Sequence, residues 1–193
     1  MNVWAETLSV AADMNVKTKQ LAVSSLLAAL GFVILYVGTL TGVLDLCAVV
    51  VGALCVTFAK IEMGKWHPIA IAMVTFILSV IFLPDKFVAF EYLFLGGMYP
   101  LVKYFAEGRN KRSLEWIIKL SYFNAVFSVI LVLSMFVFIA EDSLVTPGSS
   151  PFIIIGAVLF CNLAFVIYDV AMTRFISYYM FILRKKLRIR GLR

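Results

Sequence analysis

Few side chains in this sequence could do chemistry, and they lie within long apolar runs. Asp45, Asp85, Lys86, Glu91 and Asn162 fall toward one end of those runs. Asn124, Asp169, Thr173 and Arg174 fall toward the other. Polar groups of this kind are costly in lipid, so they turn toward a protein interior or a water-filled cavity, and each becomes a candidate site. The chemistry open to them is recognition and ion pairing. The chain has no GxxxxGK[ST] loop for ATP hydrolysis, no HExxH, no GxSxG and no paired Cys/His set, so nothing nominates an ATPase, a zinc protease, a serine hydrolase or a thiolate metal site. The single histidine, His67, stands between Trp66 and Pro68 without triad partners and reads as an interfacial polar residue. Cys47, Cys55 and Cys161 are odd in number, lack a CxxC spacing and read as small buried hydrophobes. No catalytic residue, cofactor or metal is expected.

Each polar group admits two readings. Glu91 either snorkels outward or pairs with Lys86, or else it binds a cationic or hydrogen-bonding group of a solute. Asp45 and Asp85 stand beside helix starts, where a carboxylate favours the positive end of the dipole; ligand binding is their second role. Asn124 and Asp169 fall at similar depth on successive helices, where they could hydrogen-bond to one another as interhelical glue, with Arg174 five residues beyond Asp169. Were Asp169 to face water, the same group could relay a proton or ion. Ser24 with Ala28, and Ser25 with Ala29, form two adjoining strips of small side chains that let another helix approach, from a partner or from the same bundle.

The elements that must position these groups follow from hydropathy. Of 193 residues, 63% are hydrophobic and 15% charged, whereas soluble domains run nearer 45–50% apolar and about 25% charged. A bilayer-spanning helix needs about 20 apolar residues. Charge-free runs place six of them at about 20–38, 43–59, 67–83, 87–106, 114–140 and 151–183. The runs are continuous, not alternating as in a membrane barrel. The fold class is therefore an all-α membrane protein, a six-helix transmembrane bundle. Gly38–Gly42 and Pro84–Lys86 read as tight turns, Lys60–Lys65 and Glu107–Arg112 as charged links, and Glu141–Pro151 as the longest connection. Pro100, inside the fourth helix, predicts a kink there.

Basic residues set the orientation. Of 17 Lys and Arg, Lys86 alone falls on one side and Arg174 within the last helix. The rest gather opposite: Lys17, Lys19, Lys60, Lys65, Lys103, Arg109, Lys111, Arg112, Lys119 and six in the stretch 184–193. This bias puts both termini in the cytoplasm. The basic stretch reads as a lipid-headgroup anchor, and with no nucleic-acid motif beside it no nucleic-acid partner is expected. The chain divides into an N-terminal non-membrane segment (1–16), the transmembrane domain (17–186) and a basic tail (187–193). Residues 1–13 are expected to be frayed or surface-lying, with Met14 a second possible start. Deleting them should leave activity intact in whatever assay reports it.

The opening KTKQLAVSSLLAAL and the stretches LYVGTLTGVLDL, FLPDKFVAFEYLFLGGMYPLVK and LEWIIKLSYFN resemble the substrate-binding S components of energy-coupling factor (ECF) transporters. The similarity runs over about 17–186 and is nearest an uncharacterised branch of that family in Gram-positive bacteria. The resemblance implies a multi-pass protein of the bacterial plasma membrane that binds a vitamin or similar micronutrient in its outward half. It implies that the protein then topples to release the solute inside, driven by a transmembrane scaffold subunit and two cytoplasmic ATPases. By position it puts Asp45, Asp85, Lys86, Glu91 and Asn162 near the solute. It puts scaffold docking on helix 1, where the family's AxxxA face reads Ser24/Ala28 and Ser25/Ala29. Two other readings stand beside it: a non-transporting envelope-assembly scaffold, and an ion-coupled carrier using Asp169 and Arg174.

Overall fold

The computed structural model describes residues 3–183 except 43, 65, 110 and 137–150; side chains of 3–16, 134–136, 151, 153 and 154 are not described. Lys65, most of the 141–151 connection and the basic stretch 184–193 lie outside the described residues.

All regular structure among the described residues is helical. In chain order the helices are α1 (Val3–Thr41), α2 (Asp45–Met63), α3 (Trp66–Phe82), α4 (Lys86–Glu91), a π-helical segment (Tyr92–Met98), α5 (Tyr99–Glu107), α6 (Arg112–Phe136) and α7 (Pro151–Tyr178). A second π-helical segment (Tyr179–Leu183) continues α7. Four stretches are long and apolar enough to cross a membrane: Lys17–Thr41, Asp45–Met63, Arg112–Leu133 and Ile155–Ile182. α3 is apolar but shorter, at 17 residues.

Several expected boundaries move. Residues 3–16 are not frayed; their backbone is the start of α1, because nothing between the polar first turns and the apolar run breaks a helix. The turn predicted at Gly38–Gly42 is helical through Thr41, and the chain reverses at Gly42, whose φ of 65° suits glycine. The link expected at Lys60–Lys65 is the end of α2, which stops at Gly64 with φ 90°. Before Pro100 the helix widens into the seven-residue π-helical segment. Proline has no N–H to give to the preceding turn, and such widened turns recur at functional positions.

The described residues pack as two compact units, one from the stretch 3–101 with 179–183, the other from the stretch 102–178. In the first, α1, α2, α3 and the π-helical segment pack around Leu35, Val49, Val56, Ile71, Ala72 and Tyr92. Small residues set the spacing. A methyl group added at Gly96 would lie 2.6 Å from the Tyr92 ring and 3.1 Å from the Val49 carbonyl. Tyr179 also belongs to this unit; its ring meets Phe58 edge-on at 5.2 Å and its hydroxyl donates to buried Glu62 at 3.1 Å. In the second unit α6 and α7 run antiparallel, with Phe123 and Phe165 stacked at 4.4 Å. Cys55 is buried, but Cys47, expected inside, is exposed and Cys161 half-buried.

Candidate functional site

In the first unit, three of the expected binding residues come together. Asp45 opens α2, Asp85 caps α4 and Glu91 ends α4. Asp85 accepts from the Phe87 N–H at 2.8 Å, the helix-start role expected of it. The Glu91 carboxylate lies within electrostatic reach of both aspartates. One Asp45 oxygen is buried without a hydrogen-bond partner among the described residues. Three carboxyl groups at one end of a packed unit disfavour one another's charged forms, and a cationic or hydrogen-bond-donating group placed among them favours those forms again.

Lys86 does not serve as the cation. Its ammonium donates to the Leu83 carbonyl at 2.7 Å and the Ile81 carbonyl at 3.3 Å, satisfying the open C-terminal end of α3. Asn162, also expected near the solute, belongs to the second unit and is engaged there.

The two small-residue strips of α1 part company. Ser24 and Ala28 are buried within the unit, and Ser25 and Ala29 are exposed. Ser24 Oγ lies 2.7 Å from the Gln20 carbonyl and 3.0 Å from His67 Nδ1. With the serine proton given to Gln20, His67 donates to Ser24; the pair ties α3 to α1 and does not activate a nucleophile. Of the expected docking positions, Ser25 and Ala29 remain accessible.

The second unit corrects the expected pairing of Asn124 with Asp169. Asn124 and Asn162 exchange amide hydrogen bonds at 3.1 and 3.2 Å. Asp169, 3% exposed, instead lies between two ammonium groups. Lys103 contacts Oδ1, and Lys119 is 3.0 Å from Oδ2. Both lysines are 1% exposed. Lys103 also reaches Thr173 at 2.7 Å and Glu107 at 2.8 Å; Lys119 reaches Glu107 at 3.0 Å and Glu115 at 2.7 Å. Arg174 is exposed. The geometry is one of register: Lys119 with Asp169, Phe123 with Phe165 and Asn124 with Asn162 are successive rungs between antiparallel α6 and α7.

Sequence reasoning put Lys103 and Lys119 among cytoplasmic cations; the structure buries both. The available signal was spacing, since Lys103–Glu107 and Glu115–Lys119 are each i,i+4 pairs.

No family model, curated protein or solved structure matches this chain. Of the two clusters, the first gathers three carboxyl groups, with one buried Asp45 oxygen unpaired among the described residues. The second has its cations answered on every side, two ammonium groups among three carboxylates, and Asp169 does not face water as an ion-coupled carrier would require.

Proposed function

We propose that the chain is the solute-binding subunit of an ECF-type importer. In this reading it sits in a bacterial plasma membrane with six crossings and both termini cytoplasmic, and captures a vitamin or similar micronutrient from outside. It releases the solute inside with the help of a transmembrane scaffold and two ATPases. The observation that carries the reading is the convergence of Asp45, Asp85 and Glu91, with one Asp45 oxygen buried and unpaired. A site of a few polar groups in an apolar protein is the general design for small ligands. The acidic set narrows the solute to one bearing a cationic or hydrogen-bond-donating group. The exposed Ser25/Ala29 strip on α1 supports docking of a partner helix, and the lack of a nucleotide-binding loop requires that energy come from elsewhere.

The test is native mass spectrometry of gently purified protein, parent and Glu91→Gln. A retained small molecule is expected in the parent. A charge-assisted hydrogen bond contributes about 1.5–3 kcal/mol, so the variant should bind it roughly 10- to 100-fold more weakly. Protein that carries no ligand, and captures only envelope-assembly partners, would replace this reading with the scaffold alternative.

A further inference from the structure

The tip joining α5 to α6 presents Arg109, Lys111 and Arg112, all exposed, at the N-terminal end of the 25-residue α6. Two acidic residues flank them, and both are engaged: Glu107 and Glu115, still 35% and 23% exposed, pair their carboxylates with Lys103 and Lys119. With those carboxylates already paired, the tip is left with the cationic charge of Arg109, Lys111 and Arg112, reinforced by the positive end of the α6 dipole. Immediately beside it lie exposed apolar side chains, Tyr104 at 65%, Phe105 at 59% and Ile117 at 61%. The Arg109 guanidinium stands 5.0 Å above the Phe105 ring. Cations directly bordering an aromatic and aliphatic collar mark the level where headgroups meet acyl chains.

We propose that this hairpin tip binds the phosphate headgroup of an anionic phospholipid, with the acyl chains lying along Tyr104, Phe105 and Ile117. A soluble polyanion would satisfy the cations and leave the apolar collar in water. A lipid satisfies both. The proposal uses only the membrane setting and stands apart from the importer reading.

Trp116, within the hairpin, supplies a local reporter. In full-length protein with Trp4→Phe and Trp66→Phe, it is the remaining tryptophan. The protein is reconstituted in phosphatidylcholine bilayers containing either brominated phosphatidylglycerol or brominated phosphatidylcholine, and Trp116 quenching is titrated. The anionic lipid should quench with about 3- to 10-fold higher apparent affinity, the preference shrinking as salt screens it. Arg109→Gln/Lys111→Gln/Arg112→Gln should bring the two lipids level while leaving quenching by brominated phosphatidylcholine unchanged, which shows that the hairpin keeps its depth. Arg109→Lys/Arg112→Lys, which retains the charge, should keep the preference. Equal quenching by both lipids in the parent overturns the proposal, as does a preference that survives in the triple glutamine variant. RNA that shields Trp116 while the lipids remain level would assign the tip to nucleic acid instead.

Discussion

Asp169→Ala should destabilise the protein by about 3–5 kcal/mol, because it takes from Lys103 and Lys119, each 1% exposed, the buried carboxylate they share and leaves them only the partly exposed Glu107 and Glu115. The cost comes from leaving two buried ammonium groups under-compensated more than from the lost attraction. Intact buried ion pairs roughly break even against apolar packing, whereas half-broken ones do not. Asp169→Asn should be milder, since the amide oxygen still accepts from one lysine. Replacing all three, Asp169→Leu with Lys103→Met and Lys119→Met, should recover much of the loss, because Glu107 and Glu115 are 35% and 23% exposed and can reach solvent. Thermal unfolding in detergent, followed by circular dichroism, measures the series. If Asp169→Ala melts with the parent, or the triple variant is worse than the single, the cluster does not hold α5, α6 and α7 together as described.

Gly38→Ala is the second large effect. A methyl group there would fall 2.3 Å from Ala48 Cβ, and both atoms belong to helix surfaces that cannot rotate away. α1 and α2 must separate, an overpacking cost of about 1–3 kcal/mol. Ala48→Gly in the same chain should return most of it, less about 1 kcal/mol for glycine inside a helix. Gly31→Ala is the control. Its added methyl would meet Thr75 at 3.5 Å, ordinary contact, so it should be neutral or stabilise by about 0.5–1 kcal/mol. Melting temperatures for the four proteins decide the matter. Equal destabilisation by Gly38→Ala and Gly31→Ala would mean that the close approach of α1 to α2 is not what Gly38 provides.

Hydropathy made the helices legible because burial in lipid and helix formation demand the same continuous apolar run. α3, expected at 67–83, is Trp66–Phe82, and the irregular helix expected at 87–106 spans 86–107. α1 exceeded its expected 20–38 because hydropathy marks where a helix enters lipid, not where its hydrogen bonds begin. Asp45, Asp85 and Glu91 could be grouped in advance, since short turns bring successive helix ends together. The lysine cluster could not. Charge is the strongest sequence marker of the aqueous side, and it pointed Lys103 and Lys119 outward. Only a carboxylate 66 and 50 residues further along the chain turns them inward, and one sequence carries no record of which distant residues meet. The same limit explains Asn124, whose partner was one of two polar residues on the same facing helix.

The two lysines clasping one carboxylate also bind the future of this sequence. Drift can alter an exposed arginine alone, but positions 103, 119 and 169 are hostages to one another, each fit to change only when the others do. Descendants and cousins of this chain should carry the trio whole or exchange it wholesale for apolar residues, with intermediate combinations weeded out. That pattern of joint inheritance would identify kin even where little else in the wording of the sequence survives.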